Sequence, residues 1–172
     1  DLPLPFEITR GDHRFWVGDP AVARAITAMI PDLEALSEPG DRLFVGPGDL
    51  RRTVYADTYI YWLFSELEPA TYYIEMDPGL ADAAGSGMAD DIVSADFVVL
   101  TNTWAGWIEP NASVEFGSPE HNQAVADNFC LVHEYETNLV LLYQRCDGGS
   151  GDNPADRAGR APGIGGGGVP AP

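Results

Sequence analysis

Acidic, basic and aromatic side chains gather after three short apolar runs of this chain, and these residues are the best equipped for chemistry. Asp49, Arg51, Arg52, Tyr55 and Asp57 follow the run at 42–45. Asp77 follows the run at 71–76, and Asn102, Trp104, Trp107 and Glu109 follow the run at 97–101. Arg beside carboxylates and indoles suits a sugar or a planar anionic group, because the charged groups hydrogen-bond in fixed pairs while an indole stacks on an apolar face. A structural salt-bridge network with buried indoles uses the same residue types. The set is therefore a candidate binding surface, not a catalytic constellation.

Other motifs fall short of chemistry. Gly46-Pro47-Gly48 begins like a dinucleotide-binding loop, but Arg51 stands where the third glycine belongs and the next helix signal comes several residues late. Ser86 lies in Ala84-Gly85-Ser86-Gly87, which is not a nucleophile elbow and suits a helix cap better. His13, His121 and His133 sit on an early hairpin, a surface helix and a closing strand, too scattered for one site. Asp90 and Asp91 are adjacent on one helix and diverge by about 100°, which reads as helix surface. Asn111-Ala112-Ser113 matches an N-glycosylation acceptor, a short and unspecific pattern. No catalytic residue, metal site or cofactor is expected.

The elements that must hold the candidate residues follow from periodicity and punctuation. Runs at 6–9 and 13–17 around Arg10-Gly11-Asp12 predict a hairpin at a sheet edge. Asp19-Pro20 predicts a helix start, with Pro31 kinking the helix or ending its first half. Strands are expected at 42–45, 71–76 and 97–101, with a buried helix capped by Asp57 and a short helix capped by Ser86 between them. The stretch 104–115 is irregular and aromatic, and Ser118-Pro119 opens a last helix. Segments 130–135 and 139–144 close the body as a hairpin. Alternating strands and helices predict an α/β fold, a three-layer sandwich with a mostly parallel central sheet and an antiparallel C-terminal hairpin. Ligands of such sheets bind beyond the carboxyl ends of the strands, where the three loops meet.

A hairpin turning near Thr137 and Asn138 places Cys130 and Cys146 almost opposite each other, and the strand register then decides whether a disulfide forms. Residues 1–146 read as one domain. Residues 147–172 hold nine Gly and four Pro and read as a disordered tail.

Charge narrows the partners. The net charge is −18 and all nine basic residues are Arg, which argues against nucleic acid and against an anionic membrane surface. No run of 18 apolar residues and no signal-peptide pattern occurs, so any targeting information is expected upstream of Asp1.

The segment VGPGDLRRTVYADTYIYWLFSELEPATYYIEMDPG, followed by SGMADDIVSADFVVLTNTW and EPN, resembles a known family. It is similar to the C-terminal soluble domain of large actinobacterial multi-spanning membrane proteins, relatives of the protein mannosyltransferase-like (GT-C) glycosyltransferases. The similarity covers residues 43–145 and rests on GPGDLR at 46–51, Y-x-D-T at 55–58, PATYY at 69–73 and SAD at 94–96. It implies a domain on the outer face of the plasma membrane, tethered by its own upstream transmembrane region. It also implies that catalysis belongs to the membrane portion, leaving this domain an accessory role toward carbohydrate, a polyprenyl-phosphate sugar or the cell envelope. The family often carries N-R-P-G-S where this chain has Ala81 to Ser86 without a basic residue, which weakens any anion site in that loop. Two rival readings fit the same residues. One is a soluble sugar- or nucleotide-processing enzyme using Asp49, Asp57 or Glu109 as acid or base, and the other is a scaffold with an exposed apolar patch.

Overall fold

The computed structural model describes residues 5–107 and 117–146. The expected tail at 147–172, the acceptor Asn111 and the candidate Glu109 lie outside the described residues. Strands Phe6–Arg10 (β1) and His13–Val17 (β2) form an antiparallel ribbon with Ile8 opposite Phe15. Gly11 turns it at φ 54°, a left-handed conformation that costs glycine little. The ribbon is a separate two-stranded sheet packed on helices, not an edge of the main sheet. Arg10 locks it down by donating to Glu34, to Glu66 and to the Leu63 carbonyl, with its guanidinium over the Phe64 ring.

Helix Pro20–Leu36 (α1) starts as its residues dictate, with Asp19 Oδ1 accepting from the Ala21 N–H at 2.7 Å. Pro31 does not end it. The ring removes one backbone bond, but Met29, Ile30 and Leu33 around it are buried in the core and hold the helix on through Leu36.

Strands Arg42–Pro47 (β3), Glu68–Pro69 (β4), Phe97–Thr101 (β5), Phe129–Tyr135 (β6) and Val140–Arg145 (β7) form one sheet in the order β4-β3-β5-β7-β6. β3 runs parallel to β4 and β5, whereas β7 runs antiparallel to β5 and β6. Side-chain alternation splits the interior into two cores. Leu43, Val45, Phe97, Val99, Val140 and Leu142 face α1 and helix Tyr59–Leu63 (α2). Phe44, Val98, Leu100 and Leu141 face helices Met88–Ser94 (α3) and Glu120–Asn128 (α4). The result is the expected three-layer α/β architecture around a mixed sheet.

Two local expectations fail for identifiable reasons. The strand expected at 71–76 shrinks to β4, just before it. Beyond Pro69 the ladder position on β3 is taken, because the Val45 N–H donates to the Tyr61 hydroxyl at 2.9 Å. Thr71 Oγ1 meanwhile accepts from the Tyr73 N–H and closes a local turn that competes with strand pairing. Asp57 does not cap α2 with its carboxylate, which turns instead to the loop after β5, and α2 is little more than one turn. Ser86 does support the start of α3, accepting from the Met88 N–H at 3.2 Å.

Cys130 and Cys146 form a disulfide with their Cα atoms 5.2 Å apart, closing a loop across the C-terminal hairpin. A loop of this size constrains the unfolded chain by about 3 kcal/mol. Reducing the bridge, or replacing both cysteines with Ser, is expected to lower stability by about that amount in a urea titration. An unchanged midpoint would show that the bridge contributes nothing.

Candidate functional site

An aromatic-walled cleft of about 800 Å³ opens between the β1–β2 ribbon, α2 and the turn leaving β5. Its walls carry Phe15 and Trp16 from the ribbon, Tyr55, Tyr59 and Trp62 from the segment around α2, and Trp104 from the β5 turn. The chain has four tryptophans. Three line the cleft, and the fourth, Trp107, packs edge-on against Trp104 with ring centroids 5.8 Å apart. Phe15 stacks on Tyr59 at 4.1 Å and Tyr55 meets Trp104 edge-on at 5.6 Å, so the walls are braced from within. Trp16 and Trp62 line the cleft and are about half exposed.

Asp57 is the chemical centre of this cleft. It is 3% exposed, and its carboxylate accepts from Thr103 Oγ1 at 2.7 Å and from the Trp104 indole N–H at 3.3 Å. Among the described residues it takes part in no ion pair, so a buried negative charge is held by two neutral donors. Tyr59 stands beside it with its hydroxyl buried and, among the described residues, without a hydrogen-bond partner. Burial and then the Asp57 charge raise the Tyr59 phenol far above its ordinary range, so it stays protonated.

The predicted site residues separate into two groups. Tyr55, Asp57 and Trp104 line the cleft, and Trp107 braces it. Arg52 supports the same turn, donating to the Ala105 carbonyl at 2.6 Å and the Trp107 carbonyl at 3.3 Å. Asp49 and Arg51 are not among the lining residues. They form a bidentate pair with each other, and Asn122 of α4 donates to the same carboxylate at 2.8 Å. The Arg51 guanidinium is the main reason the Asp49 carboxyl is held at about 2. Asn102 donates to the Asn138 carbonyl at 2.7 Å and ties the β5 end to the β6–β7 turn. Asp77 is an exposed turn residue whose carbonyl accepts from Leu80 and Ala81. Among the described residues the strand-end rim thus has two sides, and the cleft opens on the side toward α2.

The Gly46-Pro47-Gly48 loop cannot cradle a phosphate. The Gly48 N–H donates to Thr101, that of Leu50 to Asn122, that of Arg51 to the Asp49 carboxylate and that of Arg52 to the Asp49 carbonyl. Gly48 is required by space, since a Cβ there would overlap the Asn102 amide. Its φ is not in the left-handed range, so a turn conformation is not the reason for the glycine.

Sequence reasoning missed the ribbon side of the cleft, namely Phe15 and Trp16, and the α2 face carrying Tyr59 and Trp62. The signal was the aromatic doublet at 15–16 and the pair Tyr59 and Trp62 three positions apart, on one face of a helix. The strand-end rule gives no reason to look at a ribbon outside the sheet.

Comparisons of the whole chain with protein-family models, with curated proteins and with solved structures find no match. The reading of the site rests on its own geometry.

That geometry does not assemble acid and base. Asp57 and Asp19 are the carboxylates of the cleft, and Asp19 already accepts from the start of α1. Among the described residues no group of three His, Cys, Asp or Glu could hold a metal ion. Ser86 Oγ lies 3.2 Å from His121 Nε2, but it also donates to the Ala81 carbonyl and accepts from Met88. His121 is not on a surface as expected. It is 0% exposed, and its Nδ1 has no hydrogen-bond partner among the described residues that would orient the ring as a base. The pair fastens α3 to α4.

Burial lowers the His121 pKa below its usual 6.5. The unfolded chain therefore binds a proton that the folded state refuses, and stability is lost as pH falls below about 6.5 toward the lowered folded value. Denaturant midpoints at pH 7.5 and 5.5 are expected to drop with acidification, and His121→Gln is expected to flatten the difference. Equal pH dependence in the two proteins would remove His121 as the cause. For Asp57, Asp57→Ala should cost about 3 kcal/mol, because two donors lose a charged acceptor. A loss below about 0.5 kcal/mol would show that the carboxylate does not hold the turn.

Proposed function

We propose that this chain is a non-catalytic, extracytoplasmic accessory domain of a membrane glycosyltransferase-like protein, and that its aromatic cleft holds a saccharide. The observation that carries the reading is the placement of all four tryptophans around one cleft with a buried carboxylate in its wall. Indole and phenol rings offer flat apolar faces that match the C–H faces of a pyranose. A carboxylate and a phenol accept from and donate to its hydroxyls. The Cys130–Cys146 bridge supports an oxidising compartment, and the similarity at 43–145 supports a parent whose catalytic residues lie in its membrane portion. Among the described residues no helix is long and apolar enough to cross a membrane, so the reading places any anchor in another part of the parent.

Titration calorimetry with soluble oligosaccharides tests the cleft. Trp62→Ala is expected to weaken binding about tenfold or more while leaving stability within about 1 kcal/mol. Tyr72→Ala, at a site 91% exposed and outside the cleft, is expected to change neither. Undiminished binding by Trp62→Ala would remove the cleft from the reading. The parental reading frame upstream of Asp1 is expected to encode several apolar spans of about 20 residues, and their absence would remove the membrane part.

A further inference from the structure

The charge of the cleft narrows its ligand further, on the basis of the saccharide reading above. Asp57 and Asp19 are the carboxyl side chains among its lining residues, which include no Arg, Lys or His. The two arginines of the strand-end rim are engaged by other groups, Arg51 by Asp49 and Arg52 by the Ala105 and Trp107 carbonyls. Glu75 adds a third carboxylate behind the same segment, accepting from Thr58 Oγ1 at 3.4 Å. His13 stands behind the Trp62 ring at 4.4 Å and does not line the cleft.

An anionic sugar or a phosphate would enter a cleft that offers it no counter-charge and two carboxylates. A positive group meets the opposite situation. It would be drawn to Asp57, which pairs with no cation among the described residues, and the faces of Trp62, Trp104 and Tyr55 would attract it through their ring quadrupoles. The net charge of −18 adds a long-range pull of the same sign.

We infer that the cleft selects saccharides bearing a free ammonium group, that is amino sugars, over their N-acylated, neutral and anionic counterparts. The pyranose faces lie against the indoles, and the ammonium is the group that Asp57 reads. N-acylation removes the charge and leaves a bulkier amide, so it abolishes the preference without altering the ring.

The test compares three tetrasaccharides, of glucosamine, of N-acetylglucosamine and of glucose, by calorimetry at low and moderate salt on the wild-type domain and on Asp57→Asn. Asn retains an acceptor for Thr103 or Trp104 while removing the charge. The expected result is binding of the glucosamine oligomer about tenfold tighter than the other two, with a preference that weakens as salt rises and disappears in Asp57→Asn. Equal affinity for all three would overturn the inference and leave the saccharide reading standing. No binding of any would overturn both. A preference that persists in folded Asp57→Asn would assign it to the general negative surface and overturn the role of the cleft. The wild-type comparison of free and acetylated amine decides the selectivity even if the variant does not fold.

Discussion

The structure depends on the parallel pairing of β3 with β5. Leu43 lies opposite Phe97 and Pro47 opposite Thr101, and every residue of β5 is buried. A strand covered on both faces needs two helical layers, and the alternation of Phe44 and Val98 with Val45 and Val99 supplies an apolar surface to each. The same pairing brings the turns leaving the two strands together. Gly48 continues the ladder by donating to Thr101, and the absence of a side chain there lets Asn102 approach.

Asp57 converts that proximity into a cleft. Its carboxylate takes Thr103 and Trp104 from the β5 turn and holds them against the segment leading into α2. Arg52 fastens the far side of the same turn through two carbonyls. The third wall comes from the β1–β2 ribbon, placed by Arg10 across α1 and the end of α2. Three parts of the chain far apart in sequence therefore contribute rings to one cavity, and a single buried negative charge sets its electrical character.

Much of this was legible in the sequence because the signals were local. Asp19-Pro20, Arg10-Gly11-Asp12 and the continuous FVVL run each fix an element through their own backbone chemistry. The hairpin that joins Cys130 to Cys146 was legible from its turn position. The strand expected at 71–76 was not lost to weak propensity. It was lost to the local turn closed by Thr71 Oγ1 and to a tertiary competitor, the Tyr61 hydroxyl, which no local pattern reveals. The candidate site was half legible for a similar reason. Tyr55, Asp57 and Trp104 follow from the strand-end rule, but Asp49 and Arg51 neutralise each other on the other side of the rim, and the ribbon wall lies outside the rule altogether. Asp57 was legible as a chemically capable residue and misread as a helix cap, because its true partners lie 46 and 47 positions later in the chain.

The most direct test is a nitrogen–proton correlation spectrum of the indole N–H groups, which reports each of the four tryptophans as one signal. During titration with a glucosamine oligomer, the account predicts that Trp62 and Trp104 move together along one saturating curve, although they stand on different elements 42 positions apart. Saturable binding that leaves both signals unmoved would contradict it.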